Sequence, residues 1–289
     1  MAGPLLVIDG PFLLYRSFFA LPESILGVDG HPVGALLGAT NVILRIAADR
    51  SPRAIVVCFG AEAADYRVAL YPAYHAKRPP VPPALAWQFE RAPKLFSAFG
   101  CTTQSIDELE ADDILGSLAH AEASAGGRAL ILTGDRDMYQ CAGERVSVLY
   151  LKMGSSGFEE VDPTEVKRRY GVSPELVPDF IALRGDPSDG LPGAPGIGAK
   201  TAAELLARHG TLEGVIAGAD QERARIATIL RDAAEELRAF KEIATLRTVE
   251  LERPPDAPLD LVEGAEAARR YGLNRLAERL ERAESVADL

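Results

Sequence analysis

A chain of 289 residues with 47% hydrophobic side chains can build one α/β domain with additions or two domains, which excludes a disordered or fibrous protein. Asp9 interrupts the only early apolar run and no stretch is apolar for long enough to span a bilayer, so a membrane protein is excluded and a cytoplasmic location is expected. Cys58, Cys101 and Cys141, odd in number and widely spaced, argue against a disulfide framework or a zinc site, and the net charge of −11 argues at first sight against nucleic acid.

The first predicted element is a buried strand, Leu5-Leu6-Val7-Ile8, ending at Asp9-Gly10. A helical pattern over 34–48 leads to a second buried strand over 54–59. Before the next helix comes a long, proline-studded segment from Asp65 to Pro83 that interleaves Tyr66, Tyr71 and Tyr74 with Arg67, His75, Lys77 and Arg78. Over 64–94, five Lys and Arg stand against Asp65 and Glu90. Tyrosines among cations suit a channel for single-stranded nucleic acid, although a surface loop with packed-down tyrosines gives the same pattern. A helix over 111–123, opened by Glu110, Asp112 and Asp113, precedes a third strand over 129–132, which ends in Thr133-Gly134-Asp135-Arg136-Asp137. A fourth strand covers 146–150, a hairpin-like turn 152–157, and helices 163–170 and 174–183.

Then comes Arg184-Gly185-Asp186-Pro187-Ser188-Asp189-Gly190, followed by a turn with Gly193, Gly196 and Gly198 that feeds a helix at Ala199, Lys200 and Thr201. Glycines let a backbone approach an anion, and a helix start offers unpaired N–H groups to a phosphate. The turn misses a Walker A loop because Ala199 separates Gly198 from Lys200, and misses the dinucleotide fingerprint for want of a third glycine at the right spacing. The remainder is helical and rich in Ala, Arg and Glu, with a boundary near Asp162.

Strands alternating with helices predict an α/β fold with a mostly parallel sheet, whose ligands bind at the carboxyl ends of its strands. Asp9, Asp135 and Asp137 follow strands; Glu110, Asp112 and Asp113 start a helix; Asp186 and Asp189 precede the glycine turn. One such acid alone is a cap or a turn residue. Eight at matching ends of elements point to one site, and together they hold most of the net charge. Carboxylates so close repel unless cations join them. Oxygen donors with no Cys/His set favour Mg²⁺ or Mn²⁺, and two ions roughly 3.5–4 Å apart suit hydrolysis of a phosphate ester.

The set formed by Val7-Ile8-Asp9-Gly10, Leu70 to Tyr74 through Arg78-Pro79-Pro80, Glu110 to Leu115, Thr133 to Gln140, Gly185 to Gly193 and Gly196 to Ala202 resembles the bacterial 5′ nucleases. This is the flap endonuclease and 5′–3′ exonuclease family also found at the N-terminus of DNA polymerase I, here expected as a stand-alone member. The resemblance implies a PIN-like nuclease core over 1–162 with an arch over 64–94. It also implies a helical DNA-binding region over 163–289 with a helix-three-turn-helix over 174–209. Asp9, Glu110, Asp112 and Asp113 would line one metal site, and Asp135, Asp137, Asp186 and Asp189 mainly a second. Arg78, with Lys77, would reach the scissile phosphate; Tyr71 or Tyr74 would stack on bases, with Arg67 and His75 beside them in the arch. Gly193, Gly196, Gly198, Lys200 and Thr201 would grip duplex phosphates, often with a K⁺ ion on the turn's carbonyls. The implied partner is DNA with a 5′ flap or end, or an RNA–DNA hybrid, cut by a monomer in replication and repair.

Two positions depart from the pattern. Gly60 stands where the family has an Asp, with Glu62 or Asp65 as substitutes through a longer loop, and His75 stands where it has a Lys. The rival reading is therefore a structure-specific DNA-binding protein with a decayed nuclease site. A small PIN-type ribonuclease leaves the arch and glycine turn unexplained, and an Asp-nucleophile phosphatase lacks its second Asp after strand one.

Overall fold

The computed structural model describes residues 3–152 and 157–288. The first strand is β1 (Leu5–Asp9), whose Leu5, Leu6, Val7 and Ile8 are inaccessible on both faces, as expected of a central parallel strand. Asp9 then serves as N-cap, accepting from Phe12 N at 2.9 Å, with Pro11 in the first turn of α1 (Gly10–Ala20). The chain continues through α2 (Gly34–Arg50), β2 (Ala54–Gly60), α3 (Asp65–Leu70), α4 (Pro83–Ala98), β3 (Thr102–Ile106), α5 (Ala111–Ser124), β4 (Ala129–Thr133), β5 (Val146–Leu151) and β6 (Phe158–Val161). The six strands lie in the order β3-β2-β1-β4-β5-β6; all neighbours are parallel except β5 and β6. The hairpin-like turn expected over 152–157 has its centre, 153–156, outside the described residues.

The four strands anticipated from sequence are present, and β3 and β6 extend the sheet at its two edges. β3 reads Thr-Thr-Gln-Ser-Ile and carries no apolar run, because an edge strand needs only partial cover. The sheet's switch point falls at β1, which has β2 on one side and β4 on the other, so the crevice opens at the ends of β1 and β4.

Beyond β6 come α6 (Pro163–Tyr170), α7 (Val177–Arg184), α8 (Ala199–His209), α9 (Leu212–Ala217), α10 (Ala224–Asp232), α11 (Ala234–Ala244), α12 (Leu261–Arg270) and α13 (Asn274–Arg282). Leu5, Val7, Val56 and Ile131 face one core, shared with α5, α7, α8 and α11. Leu6, Ile8, Val57 and Leu132 face the other, shared with α1, α2, α4, α12 and α13. The two cores cut across the division expected at 162, since α12 and α13 return to pack beside α4.

The return path runs over 247–260 without regular structure and is tied down by charge. Glu122, buried on α5, receives Arg53 Nε at 3.1 Å and Arg253 Nε at 2.9 Å, while Arg53 Nη1 reaches the Pro254 carbonyl at 2.7 Å. Glu122→Ala would leave the buried Arg53 guanidinium with only the exposed Asp256 carboxylate and the Pro254 carbonyl as partners, and urea unfolding should show a loss of about 3 kcal/mol. An unchanged midpoint would mean that the strap does not depend on this carboxylate.

Candidate metal centre and nucleic-acid interface

The crevice is built by a hydrogen-bonded relay. Asp9 Oδ2 accepts from Thr133 Oγ1 at 2.8 Å, Thr133 Oγ1 accepts from Asp135 N at 3.0 Å, and Asp135 Oδ1 accepts from Asp137 N at 2.9 Å. β1 and β4 thus tie the Asp9 carboxylate to the Asp135–Asp137 segment through the buried Thr133, a residue that sequence reading did not single out; its signal is a polar side chain ending an apolar strand. Asp137 Oδ1 is buried and has no hydrogen-bond partner.

Asp186 and Asp189 enter from the turn after α7. A two-way backbone bridge between Asp186 and Leu191 closes that turn, while Ser188 N at 2.9 Å and Arg184 Nη2 at 3.2 Å orient the Asp186 carboxylate. Asp189 Oδ1 meets His75 Nε2 at 3.0 Å and Arg78 Nη2 at 3.3 Å. His75 is thus a strut: its Nδ1 donates to the Glu62 carbonyl at 2.9 Å, its ring stacks on Tyr74 at 3.8 Å, and its backbone sits at φ +53°.

Electrostatics bind these acids together. Desolvation, then the charges of Asp189, Asp186 and Asp9, push the Asp135 carboxyl up to about 7, against the pull of Asp137 N. Burial, followed by the charge of Asp135, holds Asp112 and Asp137 well above the ordinary carboxylate range. Asp9 is also raised by burial, with Phe12 N, Thr133 and Arg78 opposing. Among the described residues no three His, Cys, Asp or Glu side chains already stand in ligand geometry; what unites the acids is a shared, uncompensated field. An all-oxygen donor set, raised carboxyls and the orphaned Asp137 Oδ1 fit hard divalent cations held by Asp9, Asp112, Asp135, Asp137, Asp186 and Asp189.

Two of the eight acids are otherwise engaged. Asp113 is fully buried and receives Arg67 Nη1 and Nη2 at 3.0 and 2.8 Å, Tyr66 Oη at 3.0 Å and Arg247 N at 2.8 Å. Its carboxylate is a structural anchor for α3 and for the chain after α11. Glu110 accepts from Ala64 N at 2.8 Å and Tyr74 Oη at 2.9 Å, and it reaches the crevice through its influence on Asp112.

The arch residues divide in the same way. Arg67 is 3% exposed and Tyr74 5%, both committed to α5, so neither offers a surface to nucleic acid here; tight long-range pairing has internalised them. Tyr71 packs edge-on against Phe240. Lys77 is exposed and has no partner among the described residues, and Arg78 keeps a 39% exposed side chain at the cluster's rim. In the glycine turn, Gly193 is demanded internally by φ +67° and by backbone atoms 2.3–2.8 Å from any added Cβ. Gly198, the N-cap of α8, has ordinary φ and open space around it, so nothing inside the protein requires its small size. Lys200 is 90% exposed beside it, and Thr201 is half-buried.

Gly60 is filled by its neighbours: a Cβ there would lie 2.5 Å from Leu109 O, 2.6 Å from Ala111 N and 2.7 Å from Glu110 C. Glu62 and Asp65 are exposed and do not enter the carboxylate field.

Linkage gives a testable consequence. Acids whose folded pKa is raised hold protons that the unfolded chain releases, so metal-free stability falls as pH climbs from about 4 through about 7. A divalent cation binds the ionised carboxylates, so its stabilisation grows over the same interval. In EDTA the Tm should drop between about pH 5.5 and about pH 8, and Mg²⁺ or Mn²⁺ should restore more degrees at the higher pH. A Tm insensitive to both would remove the shared field from the account.

Comparison with known proteins gives the family and the fold. Residues 4–171 match the model described as "5'-3' exonuclease, N-terminal resolvase-like domain", and 172–262 match "5'-3' exonuclease, C-terminal SAM fold". A 5'-3' exonuclease of Mycobacterium tuberculosis is 35% identical over 98% of this chain and 98% of its own. DNA polymerase I of Mycobacterium bovis is 36% identical over 87% of this chain, which spans 28% of that relative's length. Among solved structures, T5 D15 protein co-crystallised with metal ions covers 96% of this chain and 98% of its own at TM-score 0.67 and 18% identity. The catalytic core of Rad2 in complex with DNA substrate covers 96% and 93% at TM-score 0.63 and 13% identity, and both likenesses speak to the fold.

Proposed function

This chain belongs to the 5′-3′ exonuclease family, and from that premise we propose that it is a metal-dependent, structure-specific nuclease cutting DNA at the junction of duplex and 5′ single strand. The observation that carries the reading is the field shared by six carboxylates that come from the ends of β1 and β4, the start of α5 and the turn after α7, with one buried oxygen left without a partner. Bound divalent cations, Mg²⁺ or Mn²⁺, supply an activated water and neutralise charge on the phosphoryl group. The chain's own residues do the rest. Asp9, Asp112, Asp135, Asp137, Asp186 and Asp189 would hold the ions, and the Thr133 relay fixes Asp9 relative to the Asp135 segment. Arg78 and Lys77, at the open rim, orient the scissile phosphate. Gly196, Gly198, Lys200 and Thr201 receive duplex phosphates at the start of α8, with a K⁺ ion as a further occupant of the turn. The working form is a cytoplasmic monomer, and a 5′ flap or an RNA–DNA hybrid is its substrate. No helix among the described residues is long and apolar enough to cross a membrane.

A 5′-labelled flap duplex incubated with Mn²⁺, Mg²⁺ or EDTA tests the reading. A metal-dependent cut within about a nucleotide of the junction is the expected result, in line with in-line displacement held by two ions. Tight flap binding with no cut under any metal would replace the enzyme by a binding protein.

A further inference from the structure

A cavity of about 370 Å³ lies between β5, β6 and α6, beside Arg136 of the segment that carries Asp135 and Asp137. Four cations line it, Arg136, Lys152, Arg168 and Arg169, against the single carboxylate of Glu159; in a chain of net charge −11 that concentration is unusual. Its inner wall is three tyrosines. Tyr150 Oη accepts from Arg136 Nε at 3.2 Å and Tyr139 Oη from Arg169 Nη1 at 2.9 Å, while Tyr170 Oη is buried with no partner. Because the Tyr150 phenol already acts as an acceptor and keeps some exposure, its O–H proton remains to be donated into the cavity, while Tyr139 is fully buried behind it.

The other groups are less free. Arg169 and Lys152 both hold Glu159 at 2.7 Å, and Arg168 chelates Glu165 at 2.6 Å. Arg136 alone keeps both terminal nitrogens without a partner among the described residues, its guanidinium 5.6 Å from the centroid of the Tyr150 ring. The cavity thus offers the Arg136 terminal nitrogens and the Tyr150 hydroxyl as unspent donors, and its one lining carboxylate, Glu159, already holds two cations, an arrangement that suits an anion with several oxygens. The Tyr150 ring beside Arg136 favours the guanidinium's charge and limits its orientations.

We propose that this cavity is a phosphate-binding site, with the exposed Arg136 guanidinium and the Tyr150 hydroxyl as its donors. The proposal rests on the nuclease reading for its source of phosphate: a backbone phosphate of the bound DNA away from the cleaved bond, or the 5′-phosphate of a released mononucleotide. Arg136 lies between two of the proposed metal-holding acids, so an occupied cavity would brace the loop that carries them.

Binding is measured in EDTA by calorimetric titration with inorganic phosphate and with 2′-deoxyadenosine 5′-monophosphate. Wild type should bind both saturably, and Arg136→Gln and Tyr150→Phe should each weaken binding on the order of tenfold, the loss of a charge-assisted or phenolic hydrogen bond. Tyr150→Phe keeps the ring, and melting curves verify that both variants fold. If the source is DNA, Arg136→Gln lowers the slope of log affinity for a flap duplex against log salt by about one. If it is the mononucleotide, that slope stays put and mononucleotide affinity falls. No saturable phosphate binding by wild type, or equal binding by both variants, overturns the proposal. Flap cleavage with Mn²⁺ is scored separately: cleavage without phosphate binding sinks the cavity alone, and phosphate binding without cleavage sinks the nuclease reading alone.

Discussion

Asp135→Asn should lower flap cleavage at least about a thousandfold, roughly 4 kcal/mol of transition-state stabilisation, and raise the melting temperature of the metal-free protein. The pairing of opposite effects follows from the carboxyl's position. Asn keeps an oxygen that can accept from Asp137 N, so the relay through Thr133 survives. What disappears is one negative charge from a desolvated cluster in which Asp189, Asp186 and Asp9 repel it, and removing that charge relieves the folded state. Asp186→Asn should abolish cleavage as well with a smaller gain in Tm, because Arg184 and Ser188 already stabilise that carboxylate. DNA affinity in EDTA should be nearly unchanged in both. Full activity in both variants would detach these acids from catalysis. A fall in Tm for Asp135→Asn would mean that its carboxylate holds the fold together.

Much of this site was legible because its acids sit where local rules put acids. Asp9 and Asp135 end apolar runs, Asp112 starts a helix, and the parallel sheet brings those ends to one edge. The hidden part is the part built by distant pairs. Arg67 and Tyr74 read as a nucleic-acid surface because they stand among tyrosines and lysines. Their partners, Asp113 and Glu110, lie 46 and 36 residues away, and only the fold makes them neighbours. α1 was missed although its start is written in Asp9-Gly10-Pro11, since the same residues also read as a turn closing β1. β3 escaped because a polar edge strand has no apolar run to find. His75, taken as a substitute for a lysine, works as an internal strut; its two partners, the Glu62 carbonyl and Asp189, come from separate parts of the chain.

Gly60→Asp, the substitution that would restore the acid the family resemblance calls for, should instead cost about 4 kcal/mol or more and fail to raise activity. Three backbone atoms, Leu109 O, Glu110 C and Ala111 N, lie within 2.7 Å of where the new Cβ must go, and none of them can swing aside as a side chain would. Ala61 N donates to Leu109 O at 2.8 Å, which clamps the end of β2 against the head of α5. Any displacement would move the helix start that carries Glu110 and Asp112, two of the acids the change is meant to assist. The added carboxylate would also enter a site where Asp112 and Asp135 already repel each other. Gly60→Ala separates the two causes: it brings the steric conflict without the charge, so most of the loss in Tm should appear there. Measured together, the two variants decide whether this chain has lost an acid from an otherwise unchanged site. A stable, more active Gly60→Asp would mean that it has. Two destabilised, less active proteins would mean that the crevice has closed around glycine, and that the remaining carboxylates hold the ions in an arrangement of their own.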